Sequence, residues 1–385
     1  MPVRAVRKRK KGKQGAPAAP SALVLRTNIP PPSGEEPEIT KLVSVWFRKN
    51  ARELPWREPV RDGYRALVSE AMLQQTQVSR VVEKYSGFLE RFPTVHALAA
   101  AGEQEVLSAW TGLGYYRRAR HLHGAAKKIV AEFGGNVPRG VEELRLLPGV
   151  GRYTAGAVSS MVYGERAAIV DGNVARVLLR VHGKDAASDD KAVQGWLWER
   201  AQALVDAADS PAVFNEGLME LGATVCVPAP AAPACGRCPL REVCVAHREG
   251  REMEIPRPKA RAARKAVHCG VVVVERADGC VLVEQRSHTG MWAGMWQAVT
   301  VERTDRTPAA AEMARAVGVG VRELERGETF EFLATHRRMV FEVWRVRVAR
   351  SFTAKRGAFV ARKEVGGLGM SSPQRRVLMA IRTSS

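Results

Sequence analysis

Two carboxylates, Glu70 and Asp171, stand in sequence settings that suit acid–base chemistry. Glu70 has apolar neighbours in the segment VSEAML. In such surroundings a glutamic acid tends to keep its proton, which suits a general acid, whereas an exposed helix glutamate is the alternative. Asp171 begins DGNVARVLLRV, where it is placed to cap a helix. A carboxylate there stays ionised because a helix N-terminus favours an anion, although capping alone would account for it.

A glycine-containing loop precedes a helix of small residues in LPGVGRYTAGAV, residues 147–158. Gly149, Val150 and Gly151 lead into this helix, so backbone N–H groups at its N-terminus offer a site for an anion. The two glycines also let the backbone approach a phosphate closely. An ordinary turn between helices would give the same pattern, so the loop gains weight only together with the carboxylates.

Two further stretches carry groups that suit a nucleobase. The run QQTQ at 74–77, which includes Gln75, supplies uncharged hydrogen-bonding side chains, with solvated helix surface as the alternative. The segment WTGLGYYRRAR at 110–120 joins Tyr115 and Tyr116 to three arginines. Aromatic rings beside cations fit base stacking with phosphate contact. Two core tyrosines beside a solvated basic face are an equally ordinary interpretation.

Four of the six cysteines fall in one short segment with the spacing C-x8-C-x2-C-x5-C, namely Cys226, Cys235, Cys238 and Cys244. Four thiolates this close indicate a metal or cluster site, and both zinc and [4Fe–4S] accept four cysteines. Structural zinc more often pairs two short knuckles, and only one C-x2-C is present here. The spacing therefore favours iron–sulfur, and Cys269 and Cys280 are expected to be ordinary strand residues.

The charge balance indicates a nucleic-acid partner. The chain has 385 residues, with 60 Lys and Arg against 40 Asp and Glu, a net charge of +20 and a pI near 10.2. Residues 1–40 hold eight basic and three acidic residues, so +15 remains on the rest. A polyanion is the simplest partner for such a chain, with solubility as the plainer explanation.

Five segments are expected along the chain. Residues 1–38 are basic and rich in Pro, Ala and Gly, which predicts a disordered tail. Apolar residues at 3.6-residue spacing predict an all-α domain over 39–225, followed by the cysteine loop at 226–247 and a basic, proline-containing linker at 248–266. Over 267–380 the period changes: CGVVVVERADGCVLVEQRS indicates two strands around an Ala-Asp-Gly turn, so an α/β domain is expected.

The sequence gives no sign of a membrane or secretory segment. SALVLRTNI is too short to span a bilayer, and RKRKKGK lacks the apolar run of a signal peptide. We expect an intracellular protein, cytoplasmic and nucleoid-associated, or nuclear if the source is a eukaryote. The basic run could be a nuclear address or a DNA-contacting arm, and a solvated tail is the simplest interpretation.

The motifs LPWR, SEAMLQQTQV, WTGLGYY, LPGVGRYTAGAV, VDGNVARV and the four-cysteine segment, in this order, resemble the MutY adenine DNA glycosylases. This family belongs to the helix–hairpin–helix superfamily, which also contains endonuclease III. The resemblance covers about residues 41–247 strongly and 267–380 weakly. It implies a multidomain protein: an all-α helix–hairpin–helix glycosylase domain with a [4Fe–4S] loop, then an α/β Nudix-like domain.

The resemblance also implies catalytic roles. Glu70 would protonate the departing adenine, and Asp171 would stabilise the positive charge on the sugar, directly or by a covalent bond. Tyr153 and Asn173 would hold this arrangement. In lyases similar to endonuclease III a nucleophilic lysine takes the place of Tyr153, so the resemblance implies a monofunctional glycosylase.

The same resemblance implies the DNA contacts. The hairpin at 147–151 would hold a DNA phosphate through its backbone amides while a nucleotide is flipped out. Tyr115 would wedge into the duplex beside the mispaired base, with Gln75 and Arg57 nearby. The expected partner is double-stranded DNA with an A:8-oxoguanine or A:G mispair, bound by a monomer, and the expected cofactor is a [4Fe–4S] cluster on the four cysteines.

The family's C-terminal domain is similar to MutT, a Nudix hydrolase, and recognises 8-oxoguanine. Hydrolysis by that fold needs the glutamate cluster REUxEE, of which PAAAEMARAVGVG keeps only Glu312, so we expect damage recognition without hydrolysis. The family's recognition loop Phe-Ser-His appears here as Ala334-Thr335-His336, which keeps a hydroxyl and an imidazole. The first cysteine gap, usually six residues, is eight here, which we interpret as a bulged loop.

Two other functions stay open at this point. One is a glycosylase/lyase similar to endonuclease III, which Tyr153 and the second domain oppose. The other is a mismatch-binding protein without catalysis, which the presence of both Glu70 and Asp171 opposes.

Overall fold

The computed structural model describes residues 34–258 and 263–379. Most of the expected basic tail and part of the expected linker therefore lie outside the described residues. One expectation at the tail's end is wrong, because the first helix begins at Glu36 rather than after residue 38. Pro37 in the first turn and the acidic Glu36 and Glu38 both suit a helix N-terminus.

The first part of the chain is helical, as predicted. Its helices are α1 Glu36–Asn50, α2 Gly63–Leu73, α3 Val78–Arg91, α4 Val95–Ala100, α5 Glu103–Ala109, α6 Arg117–Phe133, α7 Val141–Arg145, α8 Arg152–Tyr163, α9 Gly172–Val181, α10 Lys191–Ala207 and α11 Pro211–Thr224. A 3-10 turn at Cys235–Arg237 and the short helix α12, Val245–Arg248, follow in the cysteine segment.

Two apolar cores divide the helical part, and α8 lies between them. One core packs α1, α9, α10 and α11, and the other packs α2 to α6. Ala157 of α8 belongs to the first core, whereas Ala155 and Val158 belong to the second. The small residues of α8 permit this double packing: a Cβ on Gly156 would lie 2.3 Å from the carbonyl oxygen of Ala168.

The second part of the chain is a mixed sheet with helices. Its strands are β1 Lys265–Arg276, β2 Cys280–Gln285, β3 Trp296–Gln297, β4 Val299–Arg303, β5 Glu325–Leu333, β6 Arg337–Val348 and β7 Ala358–Ala361. Its helices are α13 Ala310–Val317, α14 Arg362–Val365 and α15 Ser372–Met379. The path is β3-β2-β1-β6-β5, with β4 beside β1 and β7 beside β2, and β1 runs parallel to β6. The predicted Ala-Asp-Gly turn joins β1 to β2, with Gly279 at φ 79°.

The helical and α/β parts contact one another. The Tyr116 hydroxyl donates to the Met370 carbonyl at 2.8 Å, and the Gln104 amide donates to the Gly294 carbonyl at 3.1 Å. Met295, fully buried, packs in the second helical core. Across the described residues, no helix combines the length and apolar character that crossing a membrane requires.

Candidate active site

A cavity of about 600 Å³ opens in the helical part between α2, α8, the start of α9 and α11. It brings together six of the residues that the sequence singled out: Arg57, Glu70, Gln75, Tyr153, Asp171 and Asn173. These residues come from positions more than a hundred apart in the chain. Their meeting follows from α8, which holds α2 and α11 on opposite sides.

Glu70 is a buried carboxyl with a strongly altered acidity. It lies in the third turn of α2, where the nearby Val68 and Met72 are fully buried. Burial raises the pKa of Glu70 to about 7, a hydrogen bond with Tyr153 lowers it, and the charges of Asp171 and Glu216 raise it. Near neutral pH, Glu70 can therefore hold a proton and release it.

Tyr153 connects Glu70 to the opposite wall of the cavity. It is the second residue of α8, and its hydroxyl, which donates to the Met219 sulfur at 3.1 Å, also lies within hydrogen-bonding range of the Glu70 carboxyl. Burial and the neighbouring Glu70 and Asp171 raise the pKa of Tyr153 well above its ordinary value. The phenol therefore stays neutral and can act as a hydrogen-bond donor to a carboxylate.

Asp171 caps α9, as predicted. Its carboxylate accepts hydrogen bonds from the Val174 backbone N–H at 2.7 Å and from the Asn173 amide at 2.9 Å. Burial raises the pKa of Asp171, while these hydrogen bonds and the charge of Arg176 lower it. The two carboxyls thus differ in surroundings: Asp171 has donors aimed at its charged form, whereas Glu70 owes its pKa chiefly to burial.

Asn173 is held by a second residue that sequence reasoning missed. Arg176 donates to the Asn173 side-chain oxygen at 2.9 Å and to the carbonyls of Gly222 at 2.8 Å and Cys226 at 2.7 Å. The start of α9 is therefore hydrogen-bonded to the beginning of the cysteine segment.

An acidic wall on α11 was also missed. Glu216 and Glu220 are buried and line the cavity. Arg57 lies 3.1 Å from Glu216 and 2.9 Å from Glu220, with Arg52 and Arg61 as further partners. The Arg57 guanidinium is thus engaged with protein carboxylates, and its expected contact with DNA stays a prediction. The sequence feature that could have indicated this wall is the pair of glutamates four residues apart in the otherwise apolar helix α11.

Gln75 and Tyr115 have unusual backbone conformations. Their φ angles are 55° and 45°, in the left-handed region that non-glycine residues rarely adopt. Gln75 is exposed at the cavity rim, and Tyr115 is 46% exposed outside it. The Tyr115 hydroxyl contacts the hydroxyl of Thr335 in the α/β part.

The glycine loop lies outside the cavity and precedes α8. Gly149 has φ 77°, and a Cβ at this position would lie 2.4 Å from the Cβ of His121. Both the backbone conformation and the lack of space therefore favour glycine here. The Val150 N–H donates to the Leu147 carbonyl. The Gly151 N–H precedes the first turn of α8, so it and the first amides of that turn are available to an anion.

The four cysteines line one smaller cavity beside α9 and α12. Arg180, which is buried, donates to the Cys226 sulfur at 3.2 Å. His247 and Glu252 also line this cavity and were missed: the His247 ring lies 2.5 Å from Glu252, and these two with Cys235 have ligand atoms mutually within 4.8 Å. Their position just after Cys244 was the only signal.

The expected lesion-reading residues form the turn between β5 and β6. Thr335 and His336 are exposed there, and the turn is closed by the Ala334 N–H donating to the Arg337 carbonyl at 2.9 Å. Glu312 on α13 is held by Arg303 and Arg306, and the pKa of its carboxyl is lowered to about 2, chiefly by the hydrogen bond from Arg306.

Two family models match this chain. Residues 68–203 match "HhH-GPD superfamily base excision DNA repair protein", and residues 270–380 match "NUDIX domain". These matches agree with the helical and α/β parts of the fold. A solved structure described as that of a thermostable thymine-DNA glycosylase is similar with a TM-score of 0.50 and 29% identity, covering 56% of this chain and 98% of that chain.

Curated relatives named adenine DNA glycosylase are similar over a large share of the chain. The rat protein is 38% identical over 309 residues, which is 67% of this chain and 59% of the relative. The human protein is 48% identical over 207 residues (52% and 37%), and that of Mycolicibacterium smegmatis is 47% identical over 196 residues (51% and 65%). The chain thus spans less than two thirds of the length of these relatives.

Replacing Tyr153 by phenylalanine should raise the pKa of Glu70 above about 7, because the hydrogen bond from this tyrosine lowers it. Infrared difference spectra recorded against pH would follow the Glu70 carboxyl, with Glu70→Gln identifying its band. Tyr163→Phe is the matched control, since Tyr163 lies in the same helix and donates to the Val137 carbonyl at 2.6 Å. An unchanged or lower Glu70 pKa in Tyr153→Phe would contradict the assignment.

Proposed function

We propose that this chain hydrolyses the N-glycosidic bond of adenine in duplex DNA, where the adenine is mispaired with 8-oxoguanine or guanine. Through residues 68–203 the chain belongs to the HhH-GPD superfamily of base excision DNA repair proteins, and it is related to adenine DNA glycosylases. The observation that carries this proposal is the meeting of Glu70, with a pKa of about 7, and the N-capping Asp171 in one cavity.

The two carboxyls divide the work of glycoside cleavage. Glu70 donates its proton to a ring nitrogen of the flipped adenine, which makes the base a better leaving group. As the bond breaks, positive charge grows on the sugar, and the Asp171 carboxylate stabilises that charge. Tyr153 holds Glu70 in place by their hydrogen bond, and Asn173 orients Asp171 from 2.9 Å. Water then completes the hydrolysis at the sugar.

The cavity lining supports hydrolysis without strand cleavage. A lyase forms a Schiff base between an amine and the abasic sugar. Among the described residues no lysine lines the cavity, and Tyr153 cannot form such a bond. A function limited to mismatch binding has less support, because binding alone does not require a buried, proton-holding Glu70.

DNA enters this proposal through charge and backbone. The net charge of +20 favours association with a polyanion. The amides at the start of α8 would bind a phosphate while the adenine turns into the cavity. Such a protein acts where the DNA lies, in the cytoplasm and nucleoid of a bacterium or the nucleus of a eukaryote, and we propose that it does so as a monomer.

The four cysteines fit a [4Fe–4S] cluster better than zinc. Four sulfurs around one zinc ion at about 2.3 Å would lie about 3.8 Å apart. Within the part of the chain that the structure describes, no three of the cysteine sulfurs lie mutually within 4.8 Å. Cys226, Cys235, Cys238 and Cys244 would hold the cluster, which would cross-link this segment and could also exchange electrons.

The α/β domain would read the base opposite the adenine. The N7 hydrogen of 8-oxoguanine is a donor that guanine lacks, and Thr335 or His336 could accept it. Hydrolysis of a nucleotide is not proposed, because the single glutamate of the metal-binding pattern, Glu312, is already neutralised by two arginines.

Glu70→Gln should bind the mispaired duplex and lose adenine release by about 10²–10⁴-fold, because a positioned general acid is removed. In the wild type, release should slow as pH rises through about 7: the raised pKa keeps Glu70 protonated below that pH and ionised above it. Single-turnover excision from A:8-oxoguanine duplexes measures both. Glu132→Gln, an exposed glutamate on α6, controls for the charge change. Excision by Glu70→Gln within a few-fold of wild type would overturn the proposal.

The cluster predicts iron and sulfide in the purified protein, with a brown colour. Cys235→Ser should lose the iron, because it removes one of four ligands, while Cys280→Ser on β2 should retain it. Metal and sulfide analysis and the visible spectrum make the comparison. One zinc and no iron per chain would refute the cluster.

Thr335→Ala combined with His336→Ala should reduce the preference for 8-oxoguanine over guanine opposite the adenine. One hydrogen bond corresponds to roughly a few-fold to tenfold in binding. Binding to A:8-oxoguanine and A:G duplexes gives the ratio. Ser351→Ala with Thr353→Ala, two exposed positions in another turn of the same domain, is the control. An unchanged ratio in the first variant would exclude this turn as the lesion reader.

A further inference from the structure

Arg118 is a buried arginine whose guanidinium binds the end of a helix. One terminal nitrogen donates to the carbonyl oxygens of Ala71 at 2.8 Å, Met72 at 2.7 Å and Gln74 at 2.5 Å. These carbonyls lie at the C-terminus of α2, where the helix leaves them without intrahelical partners. A cation is stabilised there by the partial negative charge of the helix end.

The other terminal nitrogen of Arg118 binds a second segment. It donates to the Thr76 hydroxyl at 2.9 Å and to the carbonyls of Leu113 at 2.9 Å and Gly114 at 3.1 Å. None of the six acceptors is a carboxylate. The side chain, 9% exposed, thus joins the α2 terminus to the loop before α6 through hydrogen bonds to neutral acceptors.

The two joined segments contain Gln75 and Tyr115. Within the described helical part these are the two non-glycine residues with positive φ. Each directly follows a carbonyl that Arg118 binds, that of Gln74 or that of Gly114. Such conformations persist only where the surroundings hold them. The guanidinium carbon also lies 5.4 Å from the centre of the Tyr115 ring and 5.5 Å from that of the buried Trp110.

We propose that Arg118 is a positioning residue that presents Gln75 and Tyr115 to the DNA duplex, so that its loss impairs opening of the mispair rather than proton donation by Glu70. This inference rests on the proposed function. Lysine cannot replace Arg118, since one ammonium group lacks the planar fork that reaches both segments. Glu70 keeps its own support from the core of α2 and from Tyr153.

The test uses the full chain and an A:8-oxoguanine duplex, in which 2-aminopurine replaces the adenine and fluoresces when it is unstacked. With Glu70→Gln in the background, binding is read without excision. Arg118→Lys should lose most of the fluorescence rise and, with Glu70 intact, slow excision roughly tenfold or more, the effect of one charged hydrogen bond. The pH at which excision declines should not move, whereas general damage to the cavity would move it.

Arg166→Lys is the matched control. Arg166 also donates to three carbonyls at a helix end, those of Val205 at 2.9 Å, Asp206 at 2.8 Å and Ala208 at 2.9 Å, and it does not line the cavity. It should keep the fluorescence rise. In Arg118→Ala, methylguanidinium should restore part of the signal and methylammonium should not.

If Arg118 variants fail to fold, Thr76→Val and Thr76→Ser carry the test. The valine removes one acceptor of Arg118 and should weaken the fluorescence rise, while the serine keeps the hydroxyl and should preserve it. Normal opening by Arg118→Lys, or by Thr76→Val where only that variant folds, would overturn the inference and leave the proposed function intact. A wild-type chain that neither opens nor cleaves the duplex would overturn both.

Discussion

The close packing of α8 between two apolar cores is the constraint on which the candidate site depends. Ala155, Gly156 and Ala157 leave so little side chain that the backbone at Ala168 can approach Gly156 directly. This approach brings the segment before α9 against α8, so that Asp171 at the start of α9 and Glu70 on α2 line one cavity. Larger residues at these positions would separate the two carboxyls, whatever their own surroundings.

Burial then sets the acidity of the site. Burial raises the pKa of both Glu70 and Asp171. At Asp171, hydrogen bonds and the charge of Arg176 oppose part of this rise, whereas at Glu70 the hydrogen bond of Tyr153 is countered by the unfavourable charges of Asp171 and Glu216. Two groups of similar intrinsic acidity are thereby pushed toward different tasks. Arg57, Arg52 and Arg61 are paired with Glu216 and Glu220 on the neighbouring wall. Burial opposes the charge of Glu220, but hydrogen bonds from Arg52 and Arg57 hold the pKa of its carboxyl below the ordinary value.

Much of this could be predicted from the sequence, since the relevant patterns are local. Apolar periodicity located the helices, the Ala-Asp-Gly turn located β1 and β2, and Asp171 was recognised as a cap from its neighbours. Pairs such as Arg57 with Glu220 join residues 163 apart, and no local pattern reports them. The left-handed backbone of Gln75 and Tyr115 was hidden for another reason: neither is a glycine.

Not all of the positive charge of the chain is available to bind DNA. Arg118, Arg176 and Arg180 are buried and bind carbonyl oxygens or a cysteine sulfur, so part of the excess charge serves the fold. Arg118 also bears on the contact between the two domains. The ring of Tyr115 lies against its guanidinium, and the hydroxyl of the same ring meets Thr335 in the turn between β5 and β6. In the proposed function, Tyr115 would therefore take part both in entry into the duplex and, through Thr335, in recognition of the opposite base. Its position depends on the buried guanidinium of Arg118.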